Sequence, residues 1–231
     1  MTSRRRSDEG RDGTAFLGNL KGIMILIGQY DSPFVRRIAV AMRLYGFAYE
    51  HRPWSTFGDA DKLSVYNPLR RVPTLVLDDG EVLVESFVIL DYLDELAGPP
   101  KALIARSGEA RRKALKICAL ATGLADKAVS LLYERILHKE SSEVWVTRCR
   151  AQVSGVLDTL DQDRADRATP YWFGDGINHA DIAVTCALRF VREALPSVFD
   201  NTRYPALAAH AARCEALSPF QEIVQVLVPP N

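Results

Sequence analysis

The chain has 231 residues, 48% of them hydrophobic and 25% charged, with 29 Lys and Arg against 29 Asp and Glu. That is ordinary globular composition with enough length to bury a core in one large domain or two small ones. A formal net charge of zero gives no support to a nucleic-acid or polyanion partner, and neither a bilayer-length apolar run nor a signal-peptide core is visible, so a cytosolic protein is expected.

Residues 1–22 are polar and Gly-rich, carry Arg4-Arg5-Arg6 and follow neither the helical nor the strand period, which predicts a disordered arm. Met24 stands directly before the first apolar run and is an alternative start. Ile23 to Ile27 reads as a buried strand ending at Gly28, and Gln29 to Ser32 as a loop. From Pro33 the apolar positions Phe34, Ile38, Ala41, Met42 and Tyr45 recur at helical spacing, with Ser32 as N-cap and Gly46 as C-cap. Tyr49 to Arg52 is a second strand, parallel to the first because a helix joins them. An irregular helix fills Trp54 to Asn67 and stops before Pro68.

Two short apolar runs, Thr74 to Leu77 and Val82 to Val84, flank Asp78-Asp79-Gly80-Glu81, an Asp-Gly hairpin signal. Ser86 then stands where strand gives way to helix (Val88, Ile89, Tyr92, Leu93, Leu96), the position of an N-cap whose free amides attract a carboxylate. Pro73 leads the first of the two strands. Read without context it is either a trans proline capping the strand or a cis proline that leaves the backbone of Val72 open to a ligand.

Gly98-Pro99-Pro100 cannot continue a helix, so residues 98–108 read as a linker between a first domain at 23–97 and a second at 109–231. Everything beyond the linker is helical in pattern: Glu109 to His138, Ser141 to Arg164, Asn178 to Leu195, Tyr204 to Leu217 and Phe220 to Val228. Asn178 followed by Asp181 is a capping box, which gives Asp181 a folding role. Cys118, Cys149, Cys186 and Cys214 are widely spaced and show no metal-ligand spacing, so they read as small core residues and no metal is expected.

A strand, a loop with Ser32-Pro33-Phe34, a β-α-β unit, an Asn67-Pro68 to Val72-Pro73 segment, a hairpin, Glu85-Ser86 and an all-helical second domain together resemble the cytosolic glutathione transferases, in their bacterial, serine-type form. The likeness runs from Met24 to the C-terminus. It implies a thioredoxin-like α/β first domain of order β-α-β-α-β-β-α with a mixed sheet, followed by an all-α bundle. It also implies a cis Val72-Pro73 bond, with Val72 pairing its backbone with the cysteinyl part of glutathione. Glu85 and Ser86 then take the γ-glutamyl end, and Arg71 or Arg70 the glycine carboxylate.

By the same likeness Ser32 is the hydroxyl that activates the glutathione thiol, with Tyr30 as its rival; Ser32 and Val35 together exclude a C-x-x-C redox cycle. An electrophile pocket between the domains draws on Phe34, Trp54, Tyr133 and Trp172, with Arg135 a further candidate, while Arg36 and Arg37 read as surface or interdomain charges. The activity implied is thiolate attack on a small hydrophobic electrophile by a homodimer that uses glutathione as co-substrate and no metal. An isomerase, dehalogenase or lyase on the same site, a non-enzymatic binding module and a ligandin-like carrier stay open.

Overall fold

A computed structural model describes residues 23–229; the arm expected at 1–22 lies outside them. The N-terminal domain is built from β1 (Met24–Ile27), α1 (Pro33–Tyr45), β2 (Tyr49–Arg52), α2 (Ala60–Ser64), β3 (Thr74–Val76), β4 (Val82–Val84) and α3 (Ser86–Ala97). The sheet order is β2-β1-β3-β4, with β1 and β2 parallel and the other pairs antiparallel. Leu26 and Ile27 are both fully buried, yet they belong to clusters on opposite faces of the sheet. A strand covered on both faces is apolar at every position, which is why β1 reads as a continuous run. The Asp-Gly signal builds a three-residue loop: Leu77 N–H donates to Glu81 at 2.8 Å, and Gly80 sits at φ 90°.

The helical C-terminal domain holds α4 (Gly108–Leu137), α5 (Glu143–Ala165), α6 (His179–Ala194), α7 (Pro205–Glu215) and α8 (Ser218–Glu222). Its core is shared by α4, α5, α6 and α7 around α6, which is buried along almost its whole length. Asn178 and Asp181 form the expected capping box, and Asp181 also accepts from Trp172 N–H at 2.7 Å. The four cysteines are free and buried, and burial pushes the Cys118 and Cys186 thiols up to about 11.

Three expectations need correction. The last helix ends at Glu222, and residues 224–229 run on without helix or strand. Trp172 is fully buried in the core of the helical domain, its Nε1–H on Asp163 at 2.7 Å, and does not line the cavity beside Ser32. Arg36 and Arg37 were expected as surface or interdomain charges; the surface alternative fails for both, since each is only 2% exposed, and Arg36 is interdomain. Arg36 reaches from α1 across the domain boundary: it grips the Glu215 carboxylate at 2.6 and 2.7 Å and donates to the carbonyls of Ile223 at 2.8 Å and Phe220 at 3.0 Å. A second tie joins the domains through Asp94 on α3, which accepts from Tyr45 Oη at 2.5 Å, His179 Nε2 at 2.8 Å and Leu103 N at 2.9 Å.

Candidate active site

Ser32 closes the loop after β1 and caps α1, its Oγ accepting from Val35 N–H at 3.4 Å, with Pro33 opening the helix. Since the oxygen acts there as acceptor, the hydroxyl proton is free to be donated elsewhere. Gly28, at the end of β1, decides what lies beside it. Its φ is +131°, and a Cβ there would stand 2.5 Å from Val35 Cγ2 and 2.8 Å from Val72 Cβ. Only glycine lets the Val72 segment approach the head of α1 this closely.

The Val72–Pro73 peptide is cis. Asn67 holds the segment that leads to it, donating from Nδ2 to the Arg71 carbonyl at 2.9 Å and to Thr74 Oγ1 at 3.2 Å. The Arg71 side chain reaches Glu85 at 3.5 Å and Arg70 reaches Asp61 at 3.7 Å. The hairpin returns the chain so that Glu85 follows β4 on the same edge. Glu85, not Ser86, occupies the cap position of α3, with φ 67° and ψ 129°. That conformation is unusual for a residue with a side chain and is the kind found where backbone must turn sharply at a site. Ser86 is therefore the first helical residue, buried to 3% exposure, and its Oγ is reached by Arg37 Nη1 at 3.4 Å.

A cavity of about 400 Å³ opens beside Ser32, between the domains. Phe34 and Trp54 line it from the N-terminal domain, Tyr133 and Ser130 from α4, and Val72 and Arg71 from its rim. Of the expected pocket residues Trp172 and Arg135 are elsewhere, Trp172 in the helical core and Arg135 turned to the carbonyl of Ala194 at 3.2 Å. Glu85 and Ser86 lie off this cavity, further along the edge of the sheet.

Tyr30, unlike Ser32, does not line the cavity. Its hydroxyl bonds Tyr49 Oη at 2.8 Å, its ring stacks on His51 at 3.8 Å, and burial, then the Tyr49 bond, pushes its phenol well above the ordinary range.

Two further segments wall the cavity without a motif to announce them. Phe57, in a stretch without periodicity, meets Tyr133 edge-on at 5.4 Å and closes one side of the cavity. Leu227 and Val228 form another side, because two carboxylates hold the final strap: Leu227 N–H donates to Glu193 Oε2 at 3.1 Å and Val228 N–H to Asp31 Oδ2 at 2.9 Å. Asp31 directly precedes Ser32, and burial raises its carboxyl against the pull of that amide. The alternation Val224, Val226, Val228 was the available signal for an extended strap. Among the described residues no His, Cys, Asp and Glu group is placed to hold a metal ion, and no helix is long and apolar enough to cross a membrane.

Comparison with known proteins bears on the family and the fold. Residues 26–101 match the family profile of the glutathione S-transferase N-terminal domain and residues 143–213 that of the C-terminal domain. The uncharacterized GST-like protein YibF of Escherichia coli K12 is 30% identical over 169 residues, 73% of this chain and 82% of its own length. A glutathione S-transferase from Methylobacterium radiotolerans JCM 2831, solved in complex with glutathione sulfonate, superposes with a TM-score of 0.84 at 25% identity over 91% of this chain and 98% of that one. Another, from Methylobacillus flagellatus KT with glutathione bound, gives 0.80 at 28% identity over 88% and 100%. With both halves matched in order, a relative at that identity along most of its length, and the same two-domain fold, the chain belongs to the glutathione S-transferase family.

Proposed function

We propose that the protein is a serine-type glutathione transferase in which Ser32 stabilises the glutathione thiolate for attack on a small apolar electrophile. One observation carries the reading: Ser32, with its proton uncommitted, shares a single interdomain cavity with the cis Val72–Pro73 edge and with the aromatic walls Phe34, Trp54 and Tyr133. Val72 offers its main chain to the cysteinyl unit. Arg71 takes the glycine carboxylate, and Glu85 and Ser86 the γ-glutamyl end, so the tripeptide runs along the sheet edge with its sulfur at Ser32. The glutathione-bound relatives support this placement.

The demand on Ser32 is moderate. Lowering a thiol by two pH units from about 8.5 corresponds to roughly 2.7 kcal/mol. One hydrogen bond to an anion supplies about 1.5–3 kcal/mol and the amino end of α1 about 0.3–1 more. Catalysis then rests on thiolate formation and on holding the electrophile beside it. We further propose that the first domain ends near Ala97, that the helical domain begins near Glu109, and that two copies associate. Four free, buried cysteines suit a reducing compartment such as the cytosol.

Ser32→Ala tests the assignment. Conjugation to a chromogenic aryl halide should fall by about 10- to 150-fold in kcat/KM, the equivalent of one charged hydrogen bond. The pKa of bound glutathione, read from thiolate absorbance, should rise by one to two units, with glutathione affinity little changed. Undiminished turnover would remove Ser32 from the role, and a protein that binds no glutathione at millimolar concentration would overturn the reading altogether.

A further inference from the structure

The turn that leads to the cis proline holds a side chain where glycine would sit without strain. Asn67 opens it, its Oδ1 accepting from Leu69 N–H at 3.0 Å and its carbonyl from Arg70 N–H at 2.9 Å, with Pro68 at the second position. Arg70 leaves the turn at φ 50°, in the left-handed region that disfavours any residue with a Cβ. Arg70 also lines the cavity beside Ser32. A strained residue on the rim of a cavity points to a use for its side chain that offsets the strain.

With Arg70 left-handed, two adjacent guanidiniums face different neighbours. Arg71 reaches Glu85, 3.5 Å away on the edge where glutathione is placed. Arg70 reaches instead Asp61 on α2, just beyond the stretch that supplies Trp54 and Phe57 to the cavity wall. That pairing is loose: the ions are 3.7 Å apart, Asp61 is 98% exposed, and among the described residues the Arg70 guanidinium makes no hydrogen bond. An exposed pair of this kind holds a side chain weakly and gives way to a better-placed carboxylate. Asp31 and Asp126, which line the same cavity, are engaged elsewhere, Asp31 by Val228 N–H at 2.9 Å and Asp126 by Lys127 at 2.8 Å. Arg70 therefore presents a planar, unbonded fork of donors at the rim of an apolar cavity, an arrangement that recognises a carboxylate.

We propose that Arg70 is a specificity-determining residue of the electrophile site, and that this site takes amphipathic acids: the apolar body lies against Phe34, Trp54 and Tyr133, and the Arg70 guanidinium holds the carboxylate. The inference rests on the function proposed above and narrows its substrate class from apolar electrophiles to those with an anionic end. Arg70 touches the electrophile away from the carbon that reacts. It serves the binding of the second substrate and leaves the thiolate to Ser32.

The test pairs 4-chloro-3,5-dinitrobenzoate with 4-chloro-3,5-dinitrobenzamide, aryl chlorides that differ at one group. In both, the glutathione sulfur bonds to the ring carbon that carries chlorine and chloride leaves with the bonding electrons; the carboxylate or amide is unchanged. With each rate divided by that of the uncatalysed reaction with glutathione, wild type should favour the benzoate by about tenfold or more in kcat/KM, the effect of one charge-assisted contact. Arg70→Gly should cut the preference about tenfold through the KM for the benzoate, and Arg70→Lys should keep part of it, with the KM for glutathione as in wild type. Because glycine relieves the left-handed strain, Arg70→Gly should unfold at no lower a urea concentration than wild type. Arg70→Gln, which keeps the strain, should lose the preference equally. An unchanged preference in Arg70→Gly would overturn the inference, as would a loss that falls equally on both compounds or on glutathione. A wild type that conjugates the amide as readily as the benzoate would overturn it while leaving the proposed function standing. A wild type that conjugates neither compound would refute the proposed function, and this inference with it.

Discussion

Replacing Arg36 with methionine removes the link between α1 and the end of the chain, and the structure allows its cost to be worked out. The guanidinium is 2% exposed, and it alone satisfies the side-chain-facing lone pairs of the Ile223 and Phe220 carbonyls. Each buried acceptor left without a donor costs about 1–3 kcal/mol. Glu215 fares better, being 26% exposed and within 3.8 Å of Arg189, so water and a second arginine screen its orphaned charge. Methionine refills most of the volume and recovers part of the packing. The sum falls at about 3–5 kcal/mol, the range for breaking a buried pair from one side. In equilibrium urea unfolding, with a slope of roughly 2–3 kcal/mol per molar, the midpoint should drop by about 1–2.5 M. Arg36→Lys, which keeps the charge but cannot reach four acceptors, should fall between. A loss below about 1 kcal/mol for Arg36→Met would mean that the contact is dispensable and the reasoning wrong.

Gly28→Ala should act at a distance on glutathione. The new Cβ meets Val35 and Val72 at 2.5 and 2.8 Å in a conformation that disfavours any side chain, so stability should drop by about 1–3 kcal/mol and the KM for glutathione rise as Val72 is pushed from α1; an unchanged KM in the folded variant would dissociate Val72 from binding. His210 sets a pH dependence. Burial first, then Arg164 and Arg213, holds its imidazolium down to about 3, so below the ordinary 6.5 the unfolded chain gains a proton that the folded chain refuses. Its contribution is therefore present above pH 6.5 and is lost as pH falls toward 3, with a slope approaching about 1.4 kcal/mol per unit. Asp181, raised by burial to about 6, opposes this by taking up a proton in the folded state first. Stability curves of wild type and His210→Gln should consequently diverge in slope between pH 6 and 4.5; parallel curves would refute the assignment.

Much of the N-terminal site was legible because it is built from local signals. A capping serine before a proline, an Asp-Gly turn and a strand-leading proline each act within a few residues, and their order fixes the sheet edge on which they meet. The remainder depended on tertiary partners. Trp172 has the composition of a pocket wall, but Asp163 and Asp181 draw its ring and backbone nitrogens into the helical core. The cap of α3 is displaced by one residue because Glu85 adopts a positive φ that no propensity foresees. Arg36 and Arg37 on an amphipathic helix read as surface or interdomain charges, and only the arrival of Glu215, Phe220 and Ile223 from distant parts of the chain decides for Arg36 which of the two it is. The strap at 224–229 carries enough valine for either a helix turn or an extended segment, and the carboxylates of Asp31 and Glu193 decide it.

The grip of Arg36 on Glu215, Phe220 and Ile223 has a consequence for the order in which the protein matures. Synthesis proceeds from the amino end, so α1 leaves the ribosome long before the residues that neutralise it, and a segment translated up to Ala97 still lacks Ile182, Cys186, Cys214 and Phe220 from the cluster against which α1 packs. The packing of α1 on the sheet is not complete until Phe220 and Ile223 have emerged. The two domains therefore mature together, Glu215, Phe220 and Ile223 locking the helix that Ser32 caps.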